Sequence, residues 1–328
     1  MSRRLLVLAW HNVEPTWCFP ARAAAGRRGL QEQLAFLARV ANVIPLGDGL
    51  RALGQGAPLP ARAVALTFDD GYRDQLELAV PMLERLGLPA TFFLITGLLD
   101  RTVRPWWEVL GWIFRGATRD VVLWEGRTVG LRGEAERRAS LHSVSELLKR
   151  RDGRARDEAI EELANLCRPA GAPPDQAMFM DWEGARDLAH RGFTVGSHSQ
   201  NHAILACESE AEQRRDLAVS RRQLTQELGV TVDLLAYPNG TALDYDQATV
   251  AAAKDAGYTH AVTTITGRNG PTTTSYDVRR FVLQPERGVA GLSIVPLNPV
   301  WRRVRQGRDR YREVRTGTLF RTSRGLHR

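Results

Sequence analysis

A short apolar run that ends in two adjacent acids sets the strongest limit on the fold of this chain. Residues 63–68 read Ala-Val-Ala-Leu-Thr-Phe, and Asp69, Asp70 and Gly71 follow directly. An apolar run of this length with a turn residue behind it predicts a buried strand. Two carboxylates at the mouth of a sheet repel each other, and a bound cation is the commonest way to offset that repulsion.

Similar apolar runs alternate with helical stripes along most of the chain. Further strand-like runs lie at residues 5–10, 90–95, 193–196, 231–236, 259–264 and 278–283. Helical spacing of apolar residues is found at 30–40, 72–86, 182–190, 209–228 and 247–255. An alternation of about seven strand–helix steps favours an α/β fold with a largely parallel sheet wrapped by helices.

Two histidines four residues apart lie in Gly-Ser-His-Ser-Gln-Asn-His at residues 196–202. One aspartate with His198 and His202 supplies three ligands for a divalent metal and leaves positions open for water or substrate. The second aspartate is then free to act as a base. The same ligand types also form the facial triad of non-haem iron enzymes, so they do not name the metal. Without the acid pair, a hydrogen-bonded histidine pair at a turn would be the simpler interpretation.

Six blocks of the sequence resemble the polysaccharide deacetylases with a NodB homology domain, carbohydrate esterase family four. Residues 67–71 are similar to the TFDDG signature, and residues 198–202 to the H(S/T)xxH signature. Residues 8–13, Leu-Ala-Trp-His-Asn-Val, look like the N-terminal YHxV block of the branch that de-N-acetylates poly-N-acetylglucosamine. The other matching blocks are 89–93, 236–240 and 277–281. All occur in family order and together cover about residues 5–100 and 180–285.

The resemblance implies a distorted (β/α)7 NodB-type barrel and divides the acid pair by role. Asp70, His198 and His202 are the expected ligands of a divalent metal ion, with zinc as the expected metal. Asp69 is the expected general base, which takes a proton from the attacking water. Its neighbours act on its pKa in both directions, because the metal lowers it while Asp70 and burial raise it.

Two further residues match the family motifs that support the reaction. A backbone N–H near Tyr237 is expected to stabilise the oxyanion, although Tyr237 followed by Pro238 also fits a plain turn after a strand. Arg280 matches the arginine of the last strand and is expected to orient Asp69 through a bidentate contact. Arg279 is the substitute if the register slips by one residue.

His11 is the expected general acid. Family members commonly draw the proton for the leaving amine from a late histidine, and only His327 follows His260 in this chain. In the poly-N-acetylglucosamine branch the barrel is circularly permuted, and the corresponding histidine lies near the N-terminus. His11, at the end of the first predicted strand, is the matching position. The alternative is a histidine that only hydrogen-bonds a ligand carboxylate.

Residues 100–180 interrupt the alternation of strands and helices. This stretch begins with Trp106 and Trp107 and continues as Arg/Glu-rich helical sequence over residues 134–167. It predicts a mostly helical insertion or lid in a single catalytic domain at 1–300. The tryptophan pair either stacks on sugar rings near the site or anchors the insertion to the barrel, and the second interpretation is favoured.

The net charge of +8 lies in one segment. Residues 301–328 hold ten arginines against one aspartate and one glutamate, so the preceding 300 residues are balanced. A solvated tail is the simpler interpretation. The alternative is peripheral contact of the tail with an anionic membrane surface, a polysaccharide or an acidic partner. No nucleic-acid partner is expected, and the sequence indicates no oligomeric state.

The cytoplasm is the expected location. Three cysteines without CxxC spacing argue against a disulfide framework and suit a reducing compartment. The apolar stretch after residues 1–4 spans only about six residues, and no small-residue cleavage site follows it, so it predicts a strand rather than a signal peptide. No run approaches the roughly 18 apolar residues of a membrane span.

Together these features predict a metal-dependent hydrolase. Its expected reaction removes acetyl groups from N-acetylated amino sugars of a polysaccharide or its precursor, through attack of a metal-activated water on the amide. An O-acetyl esterase or a cyclic-amide hydrolase on the same barrel is one alternative, since a fold does not fix the substrate. A catalytically silent carbohydrate-binding or assembly subunit is another, and the intact acid and histidine set argues against it.

Overall fold

A parallel sheet forms the centre of the fold in the computed structural model, which describes residues 3–297. The strands in chain order are β1 (Leu5–Trp10), β2 (Asn42–Val43), β3 (Ala63–Phe68), β4 (Thr91–Leu94), β5 (Val121–Trp124), β6 (Arg127–Gly130), β7 (Thr194–Ser197), β8 (Leu234–Ala236), β9 (His260–Val262) and β10 (Phe281–Val282). Within the described residues the main sheet has eight strands, in the order β10-β1-β3-β4-β7-β8-β9 with β2 also on β3. Its pairs are parallel, which confirms the α/β class predicted from the sequence.

Helices lie between most successive strands of the main sheet and cover it. They are α1 (Ala25–Val40), α2 (Leu46–Gly54), α3 (Val80–Leu86), α4 (Thr96–Leu99), α5 (Trp106–Gly116), α6 (Gly133–Leu148), α7 (Gly153–Cys167), α8 (Trp182–His190), α9 (Glu210–Leu228), α10 (Gln247–Ala256) and α11 (Gly288–Gly291). Short 3-10 turns lie at Gln176–Met178, Leu205–Cys207, Pro285–Arg287 and Leu292–Ile294. Crossovers of this kind bring the carboxyl ends of the strands to one edge of the sheet.

The two ends of the strand path approach each other. Val262 of β9 forms an isolated parallel bridge with Val278, which precedes β10. The Val278 N–H donates to the Ala261 carbonyl at 3.1 Å, and the Thr263 N–H donates to the Val278 carbonyl at 2.8 Å. The sheet is therefore curled, as expected for a barrel of this type.

The side chains of β1 belong to two hydrophobic cores. Leu6 lies in a large cluster with the outer helices, whereas Leu5 lies in a smaller cluster inside the curled sheet. Strands β1 and β3 are buried along their whole length. A strand buried on both faces needs an unbroken apolar run. This explains why residues 63–68 carry a single hydroxyl, that of Thr67, which donates to the Leu8 carbonyl at 2.9 Å.

The helix predicted at residues 72–86 is divided into two parts. A π-helical turn at Gln75–Ala79 leads directly into α3. Pro81 lies in the first turn of α3. Proline has no N–H to donate, so the hydrogen-bonding pattern of a single regular helix cannot run through this position. The π turn places Gln75 beside the acid pair, as described below.

The segment predicted as an insertion contains α5, α6 and α7, as the helical pattern indicates, and also the β5–β6 hairpin, which the pattern does not predict. The hairpin loop is Glu125-Gly126, with φ angles of 48° and 73°. Two-residue loops of this kind usually carry Asn-Gly or Asp-Gly. The glutamate weakens that signal in the sequence.

One hydrophobic cluster joins the inserted helices to the barrel. It contains Trp106, Trp107 and Leu110 of α5 together with Tyr72 and Ile95 from the barrel. The two tryptophans are 3% and 7% exposed. Burial of this extent fits the anchoring role expected for the tryptophan pair.

No helix within residues 3–297 combines the length and the apolar character that a bilayer crossing requires. The arginine-rich tail at 301–328 lies outside the described residues. The two interpretations of the tail and the cytoplasmic location therefore stay predictions.

Candidate active site

The predicted site residues meet at the carboxyl edge of the sheet. His11 follows β1, Asp69 and Asp70 follow β3, and His198 follows β7. Ligand sites of parallel α/β sheets lie at this edge. A cavity of about 310 Å³ opens here. Its lining includes His11, Asp69, Asp70, His198, His202 and Tyr237.

A bidentate contact with Arg280 holds Asp69. The guanidinium Nη1 and Nη2 lie 2.7 and 2.6 Å from the two carboxylate oxygens, and both side chains are buried. Arg280 Nε also donates to the Thr263 carbonyl at 2.7 Å. Burial alone would raise the pKa of Asp69, but Arg280, together with His198 and His11, holds that pKa below its usual range. Asp69 is therefore ionised at neutral pH, and the contact comes from Arg280 rather than Arg279.

Asp70 faces two imidazoles. Its Oδ1 lies 3.3 Å from His198 Nε2 and 3.5 Å from His202 Nε2, and the ligand atoms of the three residues lie within 4.8 Å of one another. Asp70 Oδ1 is buried without a hydrogen-bond partner. A buried acceptor in that state costs free energy unless a further group satisfies it. The donor set and this orphaned oxygen fit a divalent metal ion such as zinc.

The surroundings of the two imidazoles differ. His198 Nδ1 lies 2.7 Å from the Ala236 carbonyl oxygen, which only accepts, so Nδ1 carries the proton and Nε2 has the lone pair whenever the ring is neutral. Burial lowers the pKa of His202 to about 3, which keeps this ring neutral. Neutral imidazole is the form that binds metals.

Three non-glycine residues at or beside the expected metal ligands have left-handed backbone conformations. The φ angles are 72° at Asp70, 66° at Ser199 and 48° at His202. Each such conformation costs about 1–3 kcal/mol and persists only where the surroundings enforce it. One enforcing contact is the hydrogen bond from the His202 N–H to Ser199 Oγ at 2.9 Å.

Asp216 braces the same histidine-bearing loop. Its carboxylate accepts hydrogen bonds from the backbone N–H groups of Gln200 at 2.6 Å and Asn201 at 3.1 Å. Sequence reasoning missed this residue. The sequence could have indicated this residue, because Asp216 lies next to Leu217 on the buried face of α9. An acid that faces the core needs hydrogen-bond partners.

Gln75 links the two acid–base candidates through their backbones. Its buried Nε2 donates to the His11 carbonyl at 2.7 Å and to the Asp69 carbonyl at 2.5 Å. His11 itself is half-buried, and its ring lies 5.8 Å from that of Phe19. The amide of Gln75 therefore fixes the separation of the two chain segments that carry His11 and Asp69.

Tyr237 lines the cavity, but its backbone N–H is used by the sheet. That N–H donates to the Val262 carbonyl at 3.1 Å, and the hydroxyl donates to the Tyr276 carbonyl at 3.3 Å. Asn239 lines the same cavity, has a φ angle of 55°, and its buried Nδ2 has no hydrogen-bond partner. The backbone N–H of Tyr237 itself is therefore not free, and Asn239 Nδ2 is an unpartnered donor in the same cavity.

The insertion supplies the opposite wall of the cavity, with Trp106, Trp107, Ser145 and Lys149. The Trp107 ring lies 4.3 Å from that of His202, centroid to centroid. Sequence reasoning singled out the tryptophan pair but missed Ser145 and Lys149. A charged helical pattern does not indicate which of its residues tertiary packing will place at the site.

Fold and site together define an α/β barrel with a candidate hydrolytic centre at its carboxyl edge. The family model described as "Polysaccharide deacetylase" matches residues 56–261, and the chain belongs to this family. The family predicted from the motifs is therefore confirmed.

Relatives and solved structures agree with this assignment. Over 96 residues the chain is 30% identical to the poly-beta-1,6-N-acetyl-D-glucosamine N-deacetylase of Escherichia coli, a match that covers 29% of this chain but only 14% of that protein. The structure of deacetylase PplD from Streptococcus pyogenes in complex with acetate aligns with a TM-score of 0.60 at 17% identity, over 90% of this chain and 99% of that one. IcaB from Ammonifex degensii aligns with a TM-score of 0.55 at 20% identity, over 88% and 94%. At these identities the structural likeness shows the fold.

Proposed function

We propose that this chain is a metal-dependent de-N-acetylase that acts on an N-acetylhexosamine in a polysaccharide or its precursor. The observation that carries the proposal is the division of the acid pair. Asp69 is clamped by Arg280, whereas Asp70 faces His198 and His202 in the same cavity. Motifs shared with the poly-N-acetylglucosamine branch support the choice of an amide substrate.

Asp70, His198 and His202 would hold the metal ion. A divalent ion at that place supplies Lewis-acid chemistry, since it polarises a carbonyl and makes water more acidic. The protein contributes three ligand atoms, fixes the His198 ring through the Ala236 carbonyl, and packs Trp107 on His202. Oriented ligands of this kind are a common requirement of catalytic metal sites.

Asp69 acts as the general base and removes a proton from the attacking water. Each carboxylate oxygen accepts one hydrogen bond from Arg280 and retains a further lone pair for that proton. Arg280 lowers the pKa of Asp69, so the base is ionised well below neutral pH. The same contact fixes the direction in which the lone pairs point.

His11 donates a proton to the departing amine, which leaves poorly as an anion. Gln75 hydrogen-bonds the backbone carbonyls of both His11 and Asp69. The distance between the backbones of the acid and the base is therefore fixed, and both side chains line the cavity. Proton transfer by a positioned histidine contributes about 10²–10⁴ in rate.

Asn239 stabilises the negative charge that develops on the acetyl oxygen. Its Nδ2 is a buried donor without a partner in the cavity, and the Tyr237 N–H is already bonded within the sheet. A donor fixed before the reaction begins stabilises developing charge without reorganisation. Tyr237 then serves as the packing support beneath the cavity, stacked 4.3 Å from Tyr245.

Acetate release from a panel of acetylated amino sugars, with and without added zinc, tests the proposal. Asp69→Asn should keep the metal and lose turnover, whereas Asp70→Asn should lose both. Equal metal content in the two variants would contradict the division of the acid pair. Release from O-acetyl esters alone would identify an esterase, and saccharide binding without any release would identify a silent binding subunit.

A further inference from the structure

A second cavity, larger than the catalytic one, adjoins the candidate active site. Its volume is about 490 Å³, within the usual range for small-molecule sites. Trp106 lines both cavities, and Asn201, the neighbour of the metal-ligand candidate His202, lines the second. The two cavities therefore share a wall at Trp106.

Arg156 of α7 lines the second cavity with a buried guanidinium. Its side chain is 4% exposed, its guanidinium lies over the Trp106 ring at 5.2 Å, and Nε contacts Asp157 Oδ1 at 3.0 Å. Arg156 Nη1 and Trp106 Nε1 are both buried without a hydrogen-bond partner. Buried donors of this kind are rare and costly in folded proteins, so a ligand with oxygen acceptors would satisfy them.

Carboxylates supply the complementary half of the cavity wall. Five acids, among them Glu161, Glu208 and Glu212, line it together with three arginines. Carboxylates accept hydrogen bonds from hydroxyls and amides, while guanidinium and indole N–H groups donate to hydroxyl and carbonyl oxygens. A sugar carries both kinds of group and an apolar ring face for tryptophan. The excess of acids disfavours a sugar acid.

We propose that this second cavity is a sugar subsite, which holds an uncharged or amine-bearing hexosamine unit next to the one that is deacetylated. The proposal rests on the proposed function. It makes Arg156 a residue that selects polymeric over monomeric substrate, and it gives the insertion a part in substrate recognition.

Chain-length dependence of deacetylation tests the subsite. We expect kcat/KM of the wild-type protein to rise from monomeric N-acetylglucosamine to its trimer. Arg156→Met should reduce the ratio of kcat/KM on trimer to kcat/KM on monomer by about tenfold, chiefly through KM for the trimer. This is the effect expected from the loss of one charge-assisted hydrogen bond. The control Arg154→Met removes an arginine on the same helix that is 88% exposed and paired with Glu158, and it should leave the ratio unchanged.

Several results would overturn the subsite. They are a wild-type protein active on monomer with no gain on trimer, an equal loss on both substrates in Arg156→Met, or competition by an oligomer of uronic acid as strong as that by the hexosamine oligomer. If Arg156→Met does not fold, Arg215→Met changes an exposed residue of the same wall and should lower the same ratio. A wild-type protein that releases no acetate from any amino sugar would refute the proposed function instead.

Discussion

The barrel edge and the insertion meet at one cavity but are built in different ways. At the barrel edge, Asp69 and Asp70 follow a strand directly, and short hydrogen bonds such as that between His198 and the Ala236 carbonyl fix the side chains. The insertion contributes Trp107 and Lys149, which are far apart in sequence and brought together by apolar packing. The candidate catalytic residues therefore lie in local motifs, whereas the cavity wall that the insertion supplies depends on long-range packing.

A single buried carboxylate joins the two regions. Glu108 of α5 accepts hydrogen bonds from the hydroxyls of Thr16 and Tyr72, both at 2.7 Å, and from the Cys18 N–H at 3.0 Å. The Tyr72 oxygen in turn accepts from Trp107 Nε1 at 2.7 Å. Glu108 thus connects the loop after β1, the turn that follows Asp69 and Asp70, and, through Tyr72, the Trp107 ring that packs on His202.

The largest expected effect concerns the barrel edge alone. His198→Ala removes one of three ligand atoms and should abolish stoichiometric metal and activity, while circular dichroism shows a folded barrel. Metal analysis of purified protein checks this. Lys149→Met, which changes the insertion wall, should retain metal. One tightly bound divalent ion per chain in His198→Ala would refute the ligand assignment.

The sequence predicts the residues of the barrel edge well because most of its motifs directly follow a strand. The run at residues 5–10 coincides with β1, and the expected residues His11, Asp69, His198 and His202 line one cavity. The parallel sheet makes this possible, because strand ends that are remote in sequence share one edge.

Other features of the insertion and of the site cannot be predicted from the sequence in this way. The β5–β6 hairpin turns at Glu125-Gly126, which is a weak turn signal, and Gln75, which contacts the site, begins a π turn that the helical pattern does not indicate. The Tyr237 N–H donates to the Val262 carbonyl, whereas the side-chain Nδ2 of Asn239, in the same cavity, has no partner. Competition for a backbone donor depends on strand register, which the sequence alone does not settle.

The next effect separates the proton donor from the rest of the barrel edge. His11→Ala should cripple amide hydrolysis, by about 10²–10⁴ in kcat, and should impair an aryl acetate ester far less, because that leaving group needs no proton. The pH–rate profile should lose its alkaline limb and keep its acid limb, which reflects Asp69 and lies below the ordinary range of aspartate pKa values. Equal losses on both substrates would assign His11 a supporting role.

A smaller effect is expected at the oxyanion position. Asn239→Asp is nearly isosteric but replaces the donor with an acceptor, and it should lower kcat by about 10²–10³ with metal content unchanged. Tyr237→Phe removes a hydroxyl that bonds only the Tyr276 carbonyl, and it is the matched control with little expected effect on kcat. If the control loses more activity than Asn239→Asp, the donor is not Asn239.

The smallest expected effect lies at the junction of the two regions. Glu108→Gln keeps the shape of the side chain but sets an amide N–H₂ against donors, so it should lower the free energy of unfolding by about 1–3 kcal/mol, with a loss in kcat below about tenfold. Burial raises the pKa of Glu108, so its protonated form stabilises the fold at low pH and this contribution is lost as the pH rises through the raised pKa. The stability gap between wild type and variant should therefore narrow as the pH rises, in denaturant titrations at several pH values. The control Glu162→Gln changes an exposed acid of α7 that accepts from Trp124 Nε1, and it should lower the free energy of unfolding less than Glu108→Gln does. A gap that widens with pH would mean that the ionised carboxylate stabilises the junction, and the barrel edge and insertion would then be held by charge rather than by packing.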